Sequence, residues 1–169
     1  FKSRIEASAF FSKMGWDYLA EGDKNTAIHR FNLSWLLNNE NVETFWGLGV
    51  IEFQSENFSN AIKLMNKGLE IPGEPNYVLM ADLATVYIKT ALNNPNSLIE
   101  TANARNLLTK SLVIQPKYTP AYMQLTLVSI IENKLDDAWV SFHQGYELNP
   151  KEINFEILAE LLKRKADPK

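Results

Sequence analysis

Two histidines, His29 and His143, are the whole stock of imidazole in this 169-residue chain, and there is no cysteine. The missing thiols exclude disulfides, thiolate metal sites and cysteine nucleophiles together. His29 and His143 stand alone, without a second imidazole or thiol near either in the sequence, and no His-Glu-x-x-His spacing is present. A phosphate-cradling glycine-rich loop and a Gly-x-Ser-x-Gly nucleophile turn are also missing. Asp136-Asp137 resembles a paired carboxylate, but neighbours on a helix point apart, so this pair serves to place negative charge in a helix's first turn. Glu52, Glu56 and Lys63 read as solvated surface. The expectation is a protein without enzymatic activity, cofactor or metal.

Binding chemistry is a different matter, because four Trp, nine Phe and six Tyr are available for apolar recognition. Hydrophobic residues make up 46% and charged residues 22%, the proportions of a folded chain. A net charge of −3 leaves no electrostatic footprint for nucleic acid. Tyr118 to Ile131 is an apolar run free of charge, well short of the roughly 20 residues that cross a bilayer. Lys163-Arg164-Lys165 fits a helix end, where cations meet the negative pole of the helix dipole. The chain begins at Phe1, as a trimmed or processed chain would, which leaves its compartment open.

An internal period organises these residues. Ala27-x-x-x-Phe31 returns as Ala61-x-x-x-Met65 after 34 residues, and Ala104-x-x-x-Leu108 returns as Ala138-x-x-x-Phe142 at the same interval. Pro116 and Pro150 are again 34 apart, as are Phe11-x-x-Met14-Gly15 and Phe45-x-x-Leu48-Gly49. A period of this length marks a stacked supersecondary unit. The pattern resembles the tetratricopeptide repeat family. The four repeats contribute Phe11, Met14, Gly15, Tyr18, Ala27 and Phe31; then Phe45, Leu48, Gly49, Ala61, Met65 and Pro72; then Met80, Leu83, Ala84, Tyr87, Ala104, Leu108 and Pro116; then Tyr122, Leu125, Ala138, Phe142 and Pro150. Glu52 and Ser129 depart from the expected tyrosine, Thr126 from the small residue, and no proline stands near Asn39. Arg30-Phe31-Asn32 with Trp35-Leu36-Leu37, followed by Phe45-Trp46-Gly47, is also similar to small bacterial tetratricopeptide proteins, several of them envelope components. That likeness tilts the expected location towards the bacterial envelope or periplasm, with the cytoplasm as the alternative.

The resemblance implies an all-α fold, a right-handed α-solenoid of four helix-turn-helix units plus a C-terminal capping helix. Its expected extent is one domain over 1–169, with repeats at about 8–41, 42–75, 77–118 and 119–152 and the cap at about 153–165. The residues agree with such pairs independently. Small side chains at Gly15, Gly49, Ala27, Ala61, Ala104 and Ala138 permit close approach, and Phe31, Leu108 and Phe142 fill the space between. Gly22-Asp23, Glu56-Asn57 and Asn133-Lys134 mark tight turns, and Pro72, Pro75, Pro116 and Pro150 fall at junctions. Ile153, Ile157, Leu158, Leu161 and Leu162 form one more amphipathic stripe. Ala61 to Ala104 exceeds the period by nine residues, eight of them inside the third repeat. That is about one extra turn on each of two helices, giving an extended hairpin turning at Asn93-Asn94-Pro95-Asn96, with Asn96 or Ser97 as the next cap.

The resemblance further implies that the first helices line a concave face. Carried over by position, that face holds Ser12, Trp16 and Leu19; Trp46, Val50 and Phe53; Ala81, Thr85 and Ile88; and Met123, Leu127 and Ile130. Some members of the family grip acidic chaperone tails with Lys, Asn and Arg on these helices. The stripe here carries no such cations, which disfavours Hsp70 or Hsp90 partnership. The expected function is a protein-interaction scaffold binding a hydrophobic or amphipathic peptide or partner protein in an apolar groove. A homodimer formed through the groove or the long hairpin is the competing expectation, and a small apolar ligand a remote third.

Overall fold

The computed structural model describes residues 1–94 and 98–169. The expected turn at 93–96 and its cap at Asn96 or Ser97 fall mostly outside the described residues. Among those residues all regular structure is helical. The chain divides into two compact units, residues 1–75 and 76–169.

The first unit contains α1 (Arg4–Ala20), α2 (Lys24–Leu37), α3 (Val42–Gln54) and α4 (Phe58–Glu70). Side-chain caps set three of its helix starts. Ser3 accepts from the Glu6 amide, Asp23 from Thr26 at 3.0 Å and Asn41 from Glu43 at 3.0 Å. The turns α1–α2 and α3–α4 close through left-handed residues, Gly22 at φ 85° and Glu56 at φ 61°. Gly22 adopts that conformation freely, whereas Glu56 holds it against its own Cβ.

The core of this unit is built around Phe31, which is fully buried. Its ring lies where side chains on the flanking helices would be. A Cβ added to Gly15 of α1 would fall 2.7 Å from the ring, and one added to Gly47 of α3 only 2.0 Å from it. Both distances are far inside the ~3.5–4.0 Å of a normal carbon contact. Two glycines on two helices therefore make the slot for one phenylalanine on a third.

Beside this slot sits a buried polar cluster joining α1, α2 and the start of α3. Ser8 and Ser34 Oγ are 3.0 Å apart, Ser34 Oγ donates to the Ser8 carbonyl at 2.9 Å, and Thr44 Oγ1 donates to Ser34 Oγ at 2.8 Å. Asn41 Nδ2 reaches Ser8 at 2.9 Å, Ser34 at 3.0 Å and Ser12 at 3.3 Å. Buried hydroxyls are tolerated here because each finds a partner.

The second unit contains α5 (Tyr77–Asn93), α6 (Leu98–Ile114), α7 (Thr119–Ile131), α8 (Leu135–Leu148), a 3₁₀ turn (Pro150–Glu152) and α9 (Phe155–Arg164). Helices α5 and α6 run 17 residues each, against 13 each for α3 and α4, so the extra residues of the third repeat lengthen both its helices. Ala81, Ala84, Ile88, Ala104, Leu108, Ala121 and Val128 form one core cluster. A second cluster brings Met123, Ile130, Trp139 and Phe142 against Leu161 of α9, with Ile153, Ile157 and Leu158 alongside. Helix α9 thus covers the last hairpin. Trp139 Nε1 donates to the Lys165 carbonyl at 3.3 Å, and Arg164 reaches the Ile130 carbonyl at 3.3 Å.

Where the expected tyrosine is replaced by Ser129, an ion-pair network occupies the place. Arg105 of α6 donates to Ser129 Oγ at 3.0 Å and pairs with Glu132 at 2.9 Å, while Lys134 pairs with the same carboxylate at 2.8 Å. Burial acts to raise the Glu132 pKa, but hydrogen bonds and positive charge from Arg105 and Lys134 outweigh it and hold the carboxyl below its ordinary value.

Candidate ligand-binding face

In the first unit, the expected binding residues come from α1 and α3. Trp46, Val50 and Phe53 recur at helical spacing, so they share one side of α3. Trp16 approaches that side from α1: its indole meets Trp46 edge-to-face with centroids 5.2 Å apart, and Phe31 likewise at 5.5 Å. Trp16 Nε1 donates to Glu43 Oε2 at 2.7 Å. Glu43 precedes Trp46 by three residues and lies on the same side of α3. Trp16, Glu43, Trp46, Val50 and Phe53 are all half-buried, so each keeps some surface. Phe53 is further braced by Phe58, with centroids 5.8 Å apart. Leu19 differs: it is 9% exposed and packs with Ala27, Phe31 and Ile51 in the core, which leaves little of it for a ligand.

In the second unit, Thr85 on α5 and Leu127 on α7 are half-buried. Thr85 Oγ1 turns back to the Ala81 carbonyl at 3.2 Å, so its hydroxyl is engaged along its own helix. Met123 is 4% exposed and belongs to the core facing α8 and α9. Its Cε lies 2.5 Å from where a Gly145 Cβ would stand, so the lack of a side chain on α8 draws Met123 inward. Ser12, Ala81, Ile88 and Ile130 are likewise buried.

Sequence reasoning passed over Glu43 and the apolar end of the first hairpin. Glu43 reads as an ordinary first-turn acid until the fold brings Trp16 against it. Ile5 (69% exposed), Leu36 (61%) and Trp35 (43%) form exposed apolar surface on α1 and α2. Beside it lies an open hollow of about 470 Å³ lined by Arg4, Trp35, Leu36, Leu37, Asn38 and Asn39. A smaller hollow of about 240 Å³ is lined by Met14, Asp17, Tyr18 and Glu21.

Among the described residues no group of three or more His, Asp or Glu side chains converges as a metal site would. His143 instead stacks on Trp139 with centroids 5.3 Å apart and approaches Asp167 at 3.1 Å. No helix is long and apolar enough to cross a membrane among the described residues.

No protein-family model matches the sequence, and no curated protein matches it significantly. Solved structures do resemble it. MamA superposes with a TM-score of 0.72 at 21% identity, over 86% of this chain and 80% of that one. PilF of Pseudomonas aeruginosa gives 0.80 at 16% identity, over 95% and 68%. The first TPR of Spaghetti (RPAP3), bound to the HSP90 peptide SRMEEVD, gives 0.62 at 24% identity, over 73% and 89%. The repeat residues and these superpositions agree: the chain has the tetratricopeptide-repeat fold, a series of helical hairpins followed by a C-terminal helix.

Proposed function

We propose that this chain is a non-enzymatic protein-interaction module, and that the face built by Trp16, Trp46, Val50 and Phe53 receives an amphipathic segment of a partner. The observation that carries this reading is the Trp16–Trp46 pair. Two edge-to-face indoles on neighbouring helices stay half-buried and keep part of their surface open. Tryptophan in that setting supplies large rigid contact area, and such anchors dominate interface energetics at about 2 kcal/mol or more each. A structural relative caught with a peptide bound makes peptide recognition a natural use of this architecture. Thr85 and Leu127 offer further half-buried positions of the same kind on the second unit.

The test uses a synthetic amphipathic peptide with leucine on one helical face and glutamine on the other. Its affinity for the intact chain and for Trp16→Ala/Trp46→Ala is followed by fluorescence anisotropy of a dye on the peptide. Binding to the wild type that falls at least tenfold in a variant still folded by circular dichroism supports the reading. Undiminished binding to the variant removes it.

A second reading, self-association, draws on the exposed Ile5, Leu36 and Trp35, an apolar patch of the kind a second copy would cover. Sedimentation equilibrium distinguishes the two: a monomer mass that holds as concentration rises excludes the dimer.

A further inference from the structure

The face built by the two indoles carries the carboxylate of Glu43, which no cation among the described residues pairs with. Glu43 is half-buried, its Oε2 is held by Trp16 Nε1 at 2.7 Å, and among the described residues it forms no ion pair. Glu132, also partly buried, has both Arg105 and Lys134, whereas Glu52 and Glu100 each keep a buried carboxylate oxygen without a hydrogen-bond partner. A carboxylate withdrawn from water without a counter-charge costs free energy, so its retention beside two indoles calls for a physical reason.

We infer that Glu43, Trp16 and Trp46 together form a receptor for a cationic side chain, so that the amphipathic segment bound by this face carries a lysine or arginine. The inference rests on the proposed interaction function and names the class of partner. Three observations converge on it. An indole attracts a cation over its face, more strongly as the pair is desolvated. The carboxylate is fixed by the Trp16 hydrogen bond, so it is already oriented and loses little freedom on binding. Charge complementarity extends beyond the site: residues 1–75 hold seven Lys and Arg against ten Asp and Glu, whereas residues 76–169 hold ten of each. The whole net charge of −3 therefore belongs to the unit that carries this face. Aromatic rings in this unit already take cations elsewhere. Lys67 Nζ lies 4.9 Å from the Phe45 ring centroid and the Arg30 guanidinium 5.7 Å from that of Tyr18.

The experiment compares three peptides with the same leucine face, bearing lysine, glutamine or glutamate opposite. Each is titrated against the intact wild type and Glu43→Gln, at low and at physiological salt. The amide introduced by Glu43→Gln keeps an acceptor for Trp16 Nε1, so the fold and the apolar contacts survive. The lysine peptide is expected to bind the wild type about tenfold more tightly than the glutamine peptide, equivalent to about 1.4 kcal/mol. That preference should shrink with added salt and collapse in Glu43→Gln, while affinity for the glutamine peptide stays level. Equal affinity for the lysine and glutamine peptides, or a preference unchanged in Glu43→Gln, overturns the cation receptor and leaves the interaction function standing. Tightest binding of the glutamate peptide overturns it as well. No binding of any of the three removes the interaction function itself.

Discussion

Replacing Gly47 with alanine should cost more than the same change at Gly15, Gly49 or Gly145. The new Cβ would stand 2.0 Å from Phe31 Cζ, with Cε1 at 2.3 Å and Cε2 at 2.5 Å. Ordinary contact needs ~3.5–4.0 Å, so the ring must move by about 1.5 Å or more. It has little room to move, because the other flank of its slot is closed by α1 at Gly15, where even an added Cβ would lie 2.7 Å from the ring, and the ring has no exposed edge. Overpacking of this kind costs about 1–3 kcal/mol and occasionally more, and the upper end, about 3 kcal/mol, applies here. Urea unfolding followed by circular dichroism measures it. Phe31→Leu provides the control, since alone it leaves a cavity and loses about 1–2 kcal/mol. In Gly47→Ala/Phe31→Leu the smaller side chain makes room for the methyl, so the double variant should be at least about 1 kcal/mol more stable than additivity gives. A Gly47→Ala protein within about 0.5 kcal/mol of wild type, or strict additivity in the double variant, would refute the slot.

Asn41→Ala removes both the cap of α3 and the amide that satisfies Ser8, Ser12 and Ser34. A loss of about 2 kcal/mol is expected by the same unfolding assay, from roughly 1 kcal/mol for the cap and the remainder for the lost hydrogen bonds from the Asn41 amide to the serine hydroxyls. Glu56→Gly relieves a left-handed residue that carries a side chain and should raise stability by about 1 kcal/mol, read as a higher melting temperature. Glu132, whose carboxyl titrates lower in the folded protein than its ordinary 4.5, stabilises fully above that pH. The contribution then fades as pH falls through the lower folded value. Glu132→Gln should thus be less stable at neutral pH, and the gap should narrow below about pH 4.5 in melts run across that range.

The architecture was legible because a period is a redundant signal. Ala27, Ala61, Ala104 and Ala138 each vote for the same arrangement, so Glu52 or Thr126 can depart without hiding it. The turns were legible for a similar reason: Gly22, Glu56 and Asn133 occupy equivalent places, and all three have positive φ. Contacts made once per molecule leave no such trace. Nothing in the spacing of Ser8, Ser34, Asn41 and Thr44 announces that three helix ends meet over them. Gly47 is equally silent until Phe31 is seen in its slot. The proposed binding face fell between these cases. Helical spacing put Trp16, Trp46, Val50 and Phe53 on the first helices of the first two repeats. It could not tell which neighbours would be drawn inward, and Leu19 and Met123 were, by Phe31 on one side and by Gly145 and α9 on the other.

The four tryptophans allow the most direct measurement, because each indole Nε1–H gives its own resonance in a proton–nitrogen correlation spectrum. Trp16 and Trp46 lie on the proposed face, Trp139 is buried and tied to the Lys165 carbonyl, and Trp35 stands on α2 at 43% exposure. Titration with the leucine–lysine peptide should shift the Trp16 and Trp46 signals progressively and leave Trp35 and Trp139 in place. Shifts confined to Trp35, or none at the Trp16–Trp46 pair while the peptide is demonstrably bound, would contradict the account.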